Sequence, residues 1–507
     1  MSERHLQPSP SKPSSQSSPL RPPSLDRSPK GISCIGFWGR LLIDGSGPDD
    51  ISTTKDTIKY YTDLAKLTDR GKISAIFFAE WFVGFDVYGG GLDTMLKSAY
   101  QVAHLDPYAL VLAMAAVTEN VSFAVTQSTT YSTPYVLALQ YSTLDHLTGG
   151  RCAWNIVTSF PDSNARALGH EKIMAHDERY NMADEFMDVV YKLWKSSWAS
   201  GSGQLDPTTG TSFDADRVKK IEHEGTYFRM SGRSQVHPSP QRTPVLFQAG
   251  TSKSGTAFAA KHAEAIFLNC VNVSQAKKVI AHMRVAAAAN GRDPASLKFF
   301  PCFMPIISTT PEDAKAKHDL AVANADPVAG LAQFSGYTGI DLAAFLLDEP
   351  MDLSGISQGL AIQAVFKALE TSEGEEKQLW TPRWLGMRMA LAGLHPCPVG
   401  TASEVADVIQ KWIEEANIDG CNIGSVTNPG SWTDVVDLLV PELQRRRLYW
   451  DDYDVPGGTF RENLLGTKEL RDDHYGASFK WKETSEGTKG GDDMVDSVLQ
   501  GSPLQGS

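Results

Sequence analysis

From residue 31 to about residue 446 the chain alternates two patterns. Short runs of β-branched and aromatic residues without strict alternation give way to longer segments with apolar residues three or four apart. The first pattern predicts eight strands, at 31–37, 73–79, 121–127, 151–158, 245–249, 265–270, 299–307 and 420–424. The second predicts helices over 55–70, 107–119, 134–147, 177–194, 253–262, 274–289, 312–325 and 403–416, with a further one over 432–446 after the eighth strand. Strands carrying Val, Ile, Phe and Ala on consecutive positions suit a parallel sheet covered on both faces. Eight such strand–helix units predict an α/β fold, a (β/α)8 TIM barrel. The G-x-G-x-x-G turn that a doubly wound sheet would carry after its first strand is missing.

The ends of the chain break the pattern. Residues 1–30 hold nine Ser and seven Pro with few aliphatics, and residues 482–507 are equally poor in core formers, so both are expected to be disordered tails. Neither a signal peptide nor a transit peptide is expected at the front, given no apolar core and the presence of Glu3, Asp26 and many prolines. Between the tails, residues 31–481 read as a single barrel domain. Two stretches, about 196–239 and 324–398, exceed the repeat and are expected as insertions on the catalytic rim.

Composition excludes several classes of function. Hydrophobic residues make up 41% of the 507, enough for a large core. The net charge of −13, with no long basic run, argues against a nucleic-acid partner. The longest nearly unbroken apolar stretch, 108–117, is half of what a membrane span needs, so no membrane partner is expected. Six cysteines without a C-x-x-C pair suit a reducing, cytoplasmic setting. With no H-E-x-x-H, no Cys/His cluster and no G-x-S-x-G, neither a metal nor a serine nucleophile is predicted.

What remains are groups suited to an anion and a flat ligand. His176 and Tyr180 lie four residues apart at the start of a predicted helix, on one face beside free backbone N–H groups. They form either an anion site or a helix-capping arrangement with Tyr180 packed beneath. The strand-to-helix turn from Gln248 through Gly250, Thr251 and Ser252 to Gly255 lets backbone approach a ligand closely, and its hydroxyls and amides suit an anion. A tight turn with a Ser or Thr cap is the alternative. Glu80 and Trp81, Thr126 and Asn155 stand at or near the C-terminal ends of predicted strands, where a parallel barrel brings them to one mouth. Singly, each could instead be an interior hydrogen bond. His146, near the helix end marked by Gly149, reads as structural. A phosphorylated, flat cofactor would use both kinds of site.

Several strings in order resemble the bacterial-luciferase-like superfamily of flavin-dependent monooxygenases, in the group of nitrilotriacetate monooxygenase, dibenzothiophene-sulfone monooxygenase and the pristinamycin synthase large subunit. They are Ser128-Thr-Thr-Tyr131 with Pro134-Tyr135; Ser142-Thr-Leu-Asp-His-Leu-Thr-Gly-Gly-Arg151; Trp154-Asn-Ile-Val-Thr-Ser159; His176-Asp-Glu-Arg-Tyr180; Gln248-Ala-Gly250; and Val440-Pro-Glu-Leu-Gln-Arg445. The resemblance implies a two-component enzyme. Reduced, diffusible FMN would come from a separate NAD(P)H-dependent flavin reductase, and O2 would oxygenate a small-molecule substrate by C–N or C–S cleavage or hydroxylation. It assigns Glu80, Thr126, His176, Tyr180 and Ser252 as flavin contacts. His176, Tyr180 and Ser252, with Thr251 beside them, would lie around the phosphate, and Glu80, Thr126 and Asn155 near the ring. No catalytic residue is assigned, and a homo-oligomer is expected. The chain departs from the family pattern at Glu80, usually Asp; at Ala167 and Leu168, usually Asn and Phe; and in 38–48, which is short and lacks a usual His. A deazaflavin-dependent oxidoreductase on the same fold, or a flavin-binding homologue without catalysis, are the alternatives.

Overall fold

A computed structural model describes residues 35–36, 50–79, 82–98, 102–351 and 380–482. The eight predicted strands are the eight staves of a closed parallel barrel: β1 Ile35–Gly36, β2 Ala75–Phe78, β3 Ser122–Ser128, β4 Cys152–Val157, β5 Val245–Gln248, β6 Ala265–Leu268, β7 Lys298–Phe303 and β8 Asn422–Ile423. They run in chain order round the barrel, and β1 closes it by pairing with β8 at Ile35↔Ile423. Because side chains alternate along a strand, every second residue points inward. Ala75, Ala124, Ala153 and Ala265 form a narrow lower layer, plugged by Phe460 and Leu464 of the helix Phe460–Leu465. Above them Phe77, Phe247, Phe267 and Phe300 fill the bore, with the Phe77 and Phe267 rings 4.3 Å apart and those of Phe247 and Phe267 4.8 Å apart. The register sets Thr126 beside Asn155, Asn155 beside Phe247, and Cys302 beside Asn422. A polar rung thus tops an apolar bore.

The helices start where the sequence offers caps. Asp106, Thr310, Asp326 and Thr381 each accept from a backbone N–H of the first turn, and each is followed by Pro at the first helical position. Thr401 and Glu404 form a full capping box.

Proline also explains one difference from the predicted elements and one local distortion. The 299–307 run is not one strand: Pro305 has no N–H to continue the ladder, and Ile306–Ser308 pairs instead with Val399–Thr401 in a separate sheet. The 432–446 helix is present as one continuous run over 430–445, in which Pro441, lacking an N–H for the carbonyl four residues back, is accommodated by a wider turn at Val435–Leu439.

The two long stretches are placed differently. Residues 196–239 fold into two antiparallel hairpins, Gly203–Asp206 with Thr211–Phe213 and Ile221–Glu224 with Arg229–Gly232. They follow the helix His176–Tyr191, and the second runs back along the outside of the barrel to the first turns of two helices, with Tyr227 donating to Glu178 and the Arg233 carbonyl accepting from Tyr135; neither hairpin lines the cavity described below. The Glu185 carboxylate, midway along that helix, accepts the N–H groups of Thr226, Tyr227 and Phe228 and so ties the second hairpin down. The β7-to-β8 connection instead rises over the mouth as two packed helices, Pro327–Thr338 and Pro382–Ala392. Among the described residues no helix is long and apolar enough to cross a membrane.

Candidate functional site

A cavity of about 680 Å³ opens at the C-terminal ends of the strands, within the range of small-molecule sites. Of the residues singled out from sequence, Thr126, Asn155, His176, Tyr180, Thr251 and Ser252 all line it. Glu80, Trp81 and 38–48 lie outside the described residues. Ala167 and Leu168, at the end of the short helix Asp162–Ala167, do not reach it. His146 is remote, its ring nitrogen 3.1 Å from the carbonyl of His237.

At one end, two helix N-termini meet. Ser252 caps the helix Lys253–His262 by accepting from the Gly255 N–H at 3.0 Å, so the capping alternative is realised there, yet its hydroxyl also stands 3.3 Å from His176 Nε2. His176 opens its own helix and is not the cap, since Ala175 occupies that position and offers no side chain. Asp177 Oδ1 lies 2.8 Å from His176 Nδ1 and accepts from the Ser254 hydroxyl at 2.6 Å. The Ser254 and His176 hydrogen bonds hold the Asp177 pKa below its usual value, so its carboxylate stays an acceptor and orients the His176 ring through Nδ1. Nε2 is thereby turned toward the cavity. Tyr180 is kept a phenol because burial raises its pKa, against hydrogen bonds from Ser252, Thr158 and Gln248.

Glycine makes the cradle possible. A Cβ at Gly250 would stand 2.5 Å from both Gln248 Nε2 and the Tyr180 hydroxyl oxygen, and one at Gly255 would stand 2.9 Å from that hydroxyl. Aligned amides, dipoles and hydroxyls of this kind suit a phosphate.

The other part of the cavity is flat-floored. Phe77 and Phe267 close it below. Thr126 donates its only hydroxyl proton to the Phe78 carbonyl at 2.7 Å and accepts from Asn155 Nδ2 at 2.9 Å. The Asn155 amide is therefore oriented, and its buried carbonyl oxygen has no partner among the described residues. Gln248 Oε1 and Asn422 Oδ1, also on the cavity lining, are in the same position. Acceptors awaiting N–H donors, a flat apolar floor and an anion cradle in one cavity fit the polar edge, ring and phosphate of a reduced flavin.

Sequence reasoning missed Asn422, which the rule that found Asn155, a polar residue in an apolar strand end, would have reached. It also missed Gln333, Tyr337, Met389 and His395, which come from the β7-to-β8 connection. No local motif marks these four. His395 is half-buried in the wall; burial first, then the nearby Arg388 charge, lowers its pKa to about 4, so the imidazole is neutral near pH 7.

The chain matches the family described as luciferase-like monooxygenase over residues 41–420. It is 39% identical over 425 residues to the dimethyl-sulfide monooxygenase of Hyphomicrobium sulfonivorans, covering 84% of this chain and 87% of that one. The crystal structure of DmoA from Hyphomicrobium sulfonivorans superposes with a TM-score of 0.82 at 36% identity, covering 90% of this chain and 96% of the other. A riboflavin lyase (RcaE) solved with modified FMN and riboflavin gives a TM-score of 0.79 at 31% identity, covering 89% and 100%.

Proposed function

The chain belongs to the luciferase-like monooxygenase family, and from that premise we propose how its cavity serves the chemistry. It is an FMN-dependent monooxygenase of the two-component kind, acting with O2 on a small organic substrate. The observation that carries the assignment of residues is one cavity joining an anion cradle to a flat-floored, amide-lined space. We assign His176, Tyr180, Thr251 and Ser252 to the phosphate, and Thr126 and Asn155, with Glu80, to the ring. Gln248 and Asn422 join them as hydrogen-bonding groups. When bound, reduced FMN supplies the electrons that let O2 deliver one oxygen atom to substrate. The protein's part is to hold, orient and keep water out: Asp177 sets His176, Thr126 sets Asn155, and the Phe floor excludes solvent.

Electrons come from a separate NAD(P)H-dependent flavin reductase; the chain itself has no G-x-G-x-x-G dinucleotide turn. Cytoplasmic residence is supported by the buried free thiols of Cys152, Cys270, Cys302 and Cys421. A homo-oligomer is supported by exposed Ile58, Leu112 and Val117 on or beside two packed helices.

The test is to titrate purified protein with photoreduced FMN without oxygen, then admit labelled O2 with candidate substrates. Saturable binding and one labelled oxygen per product are expected. Absence of binding overturns the residue assignment, and tighter binding of a reduced deazaflavin favours the alternative cofactor. His176→Ala should weaken reduced FMN binding by about 1.5–3 kcal/mol, the worth of a hydrogen bond to a charged group. An unchanged dissociation constant removes His176 from the site.

A further inference from the structure

The substrate's share of the cavity differs in character from the anion end. It is walled by the β7-to-β8 connection, a different sector of the mouth from the β4 and β5 turns. The two helices of that connection pack backbone to backbone: a Cβ at Gly330 would collide with the Gly386 carbonyl, and one at Gly386 with the Pro327 carbonyl. Such contact holds the wall rigidly. The groups it turns to the cavity are Gln333, Tyr337, Met389, Leu394 and His395, facing Phe160 from the β4 side. None of these is charged near pH 7, the His395 ring being neutral for the reason given above.

Permanent charge on the described lining is confined to Arg179. It stands on the His176–Tyr180 turn, with its guanidinium donating to the Met174 carbonyl at 2.5 Å, so it belongs to the anion end. A carboxylate placed beside Gln333, Tyr337 and Phe160 would lose its water without a cation on the described lining to pair with; Arg388 stands behind the wall, donating to the His395 carbonyl at 3.4 Å. One polar handle remains. Gln333 is only 4% exposed, its Nε2 lies 3.0 Å from the Tyr337 hydroxyl, and its Oε1 has no partner among the described residues. Because a phenol both donates and accepts, the amide can turn either its oxygen or its N–H to a ligand.

We propose that the substrate is an uncharged, mainly apolar organic molecule with one hydrogen-bonding heteroatom, held by Gln333. This rests on the flavin reading of the same cavity. The experiment uses a matched set: butylbenzene, 4-phenylbutan-1-ol and 4-phenylbutanoate, titrated calorimetrically into the protein with and without anaerobic reduced FMN. The flavin titration is read separately, so that failure of flavin binding and failure of this inference are distinguishable.

The alcohol should bind at least about 30-fold more tightly than the carboxylate of equal length, since the carboxylate is desolvated without a partner. In Gln333→Leu the alcohol should lose about tenfold, the worth of one neutral hydrogen bond. Butylbenzene should bind that variant as well as it binds the parent, which distinguishes a lost contact from a disturbed wall. Equal or tighter binding of the carboxylate, no binding of the alcohol at about 1 mM, or an alcohol affinity unmoved by Gln333→Leu would overturn the proposal. The comparison of alcohol with carboxylate needs no variant and stands even if Gln333→Leu does not fold.

Discussion

Thr126 has one hydroxyl proton, and the Phe78 carbonyl takes it. Everything about Asn155 follows: its N–H must face Thr126 and its carbonyl oxygen must face the cavity. Thr126→Val keeps the shape but removes this restraint, so the amide can turn over. Reduced FMN binding should weaken by about fivefold, near 1 kcal/mol, with little change in melting temperature, as flavin fluorescence titration beside thermal unfolding would measure. At Gly250 the restraint is space. The Cβ of Gly250→Ala would stand 2.5 Å from Gln248 Nε2 and the Tyr180 hydroxyl, and both must move. Phosphate affinity should fall more than tenfold; inhibition by inorganic phosphate, measured against FMN, checks that the loss is at that end. Thr126 and Asn155 were legible because a hydroxyl and an amide interrupt otherwise apolar strand ends. Gln333 was not, because it sits in a run, 329–336, that is buried on every side and shows no polar face to read.

At the scale of elements, the strands were legible where burial on both faces makes the run continuous, and the helices where Pro follows a capping residue. What was lost is informative. Pro305 stands in the sequence as a visible break, yet the hydrophobic pattern runs straight through it; the missing N–H, not the pattern, decides where the strand ends, whereas at Pro441 the helix continues past a widened turn. The 196–239 stretch was expected at the rim for its length alone. It reaches the first turn of the helix His176–Tyr191 through Tyr227 and Glu178, yet it lies on the outside of the helices and none of its residues lines the cavity. The helix pair over the mouth leads to a prediction of its own. Gly330→Ala drives a methyl group into the Gly386 carbonyl and must part the two helices. Overpacking of this kind costs about 1–3 kcal/mol, so the melting temperature should drop by a few degrees. Substrate KM should rise while the FMN dissociation constant stays put, because the anion cradle hangs on other elements. Equal loss of both would mean that the helix pair supports the whole cavity.

The molecule as a whole carries a pH limit set far from its mouth. His474 donates from Nε2 to the His262 carbonyl at 2.9 Å, and its Nδ1 accepts the Gly476 N–H at 3.0 Å. A second ring proton would have to sit where that N–H already points. Burial first, then the charge of Arg292, holds the His474 pKa well below its ordinary 6.5. His262 is depressed by burial, against the hydrogen bond to Asp184, and His395 falls to about 4 for the reasons already given. The sign follows from which state binds protons. Below pH 6.5 the unfolded chain protonates these rings while the folded chain refuses, so stability is fully present above about 6.5 and is lost as pH falls toward the folded values. Each ring contributes up to about 1.4 kcal/mol per pH unit within that window. Urea unfolding should therefore show a midpoint that drops between pH 7 and pH 5. His474→Asn retains an acceptor for the Gly476 N–H and removes the titrating ring. The variant should be less stable at pH 7, having lost the bond to the His262 carbonyl, yet its midpoint should fall less steeply with acid than that of the parent. Parallel curves for the two proteins would assign the acid sensitivity to other groups.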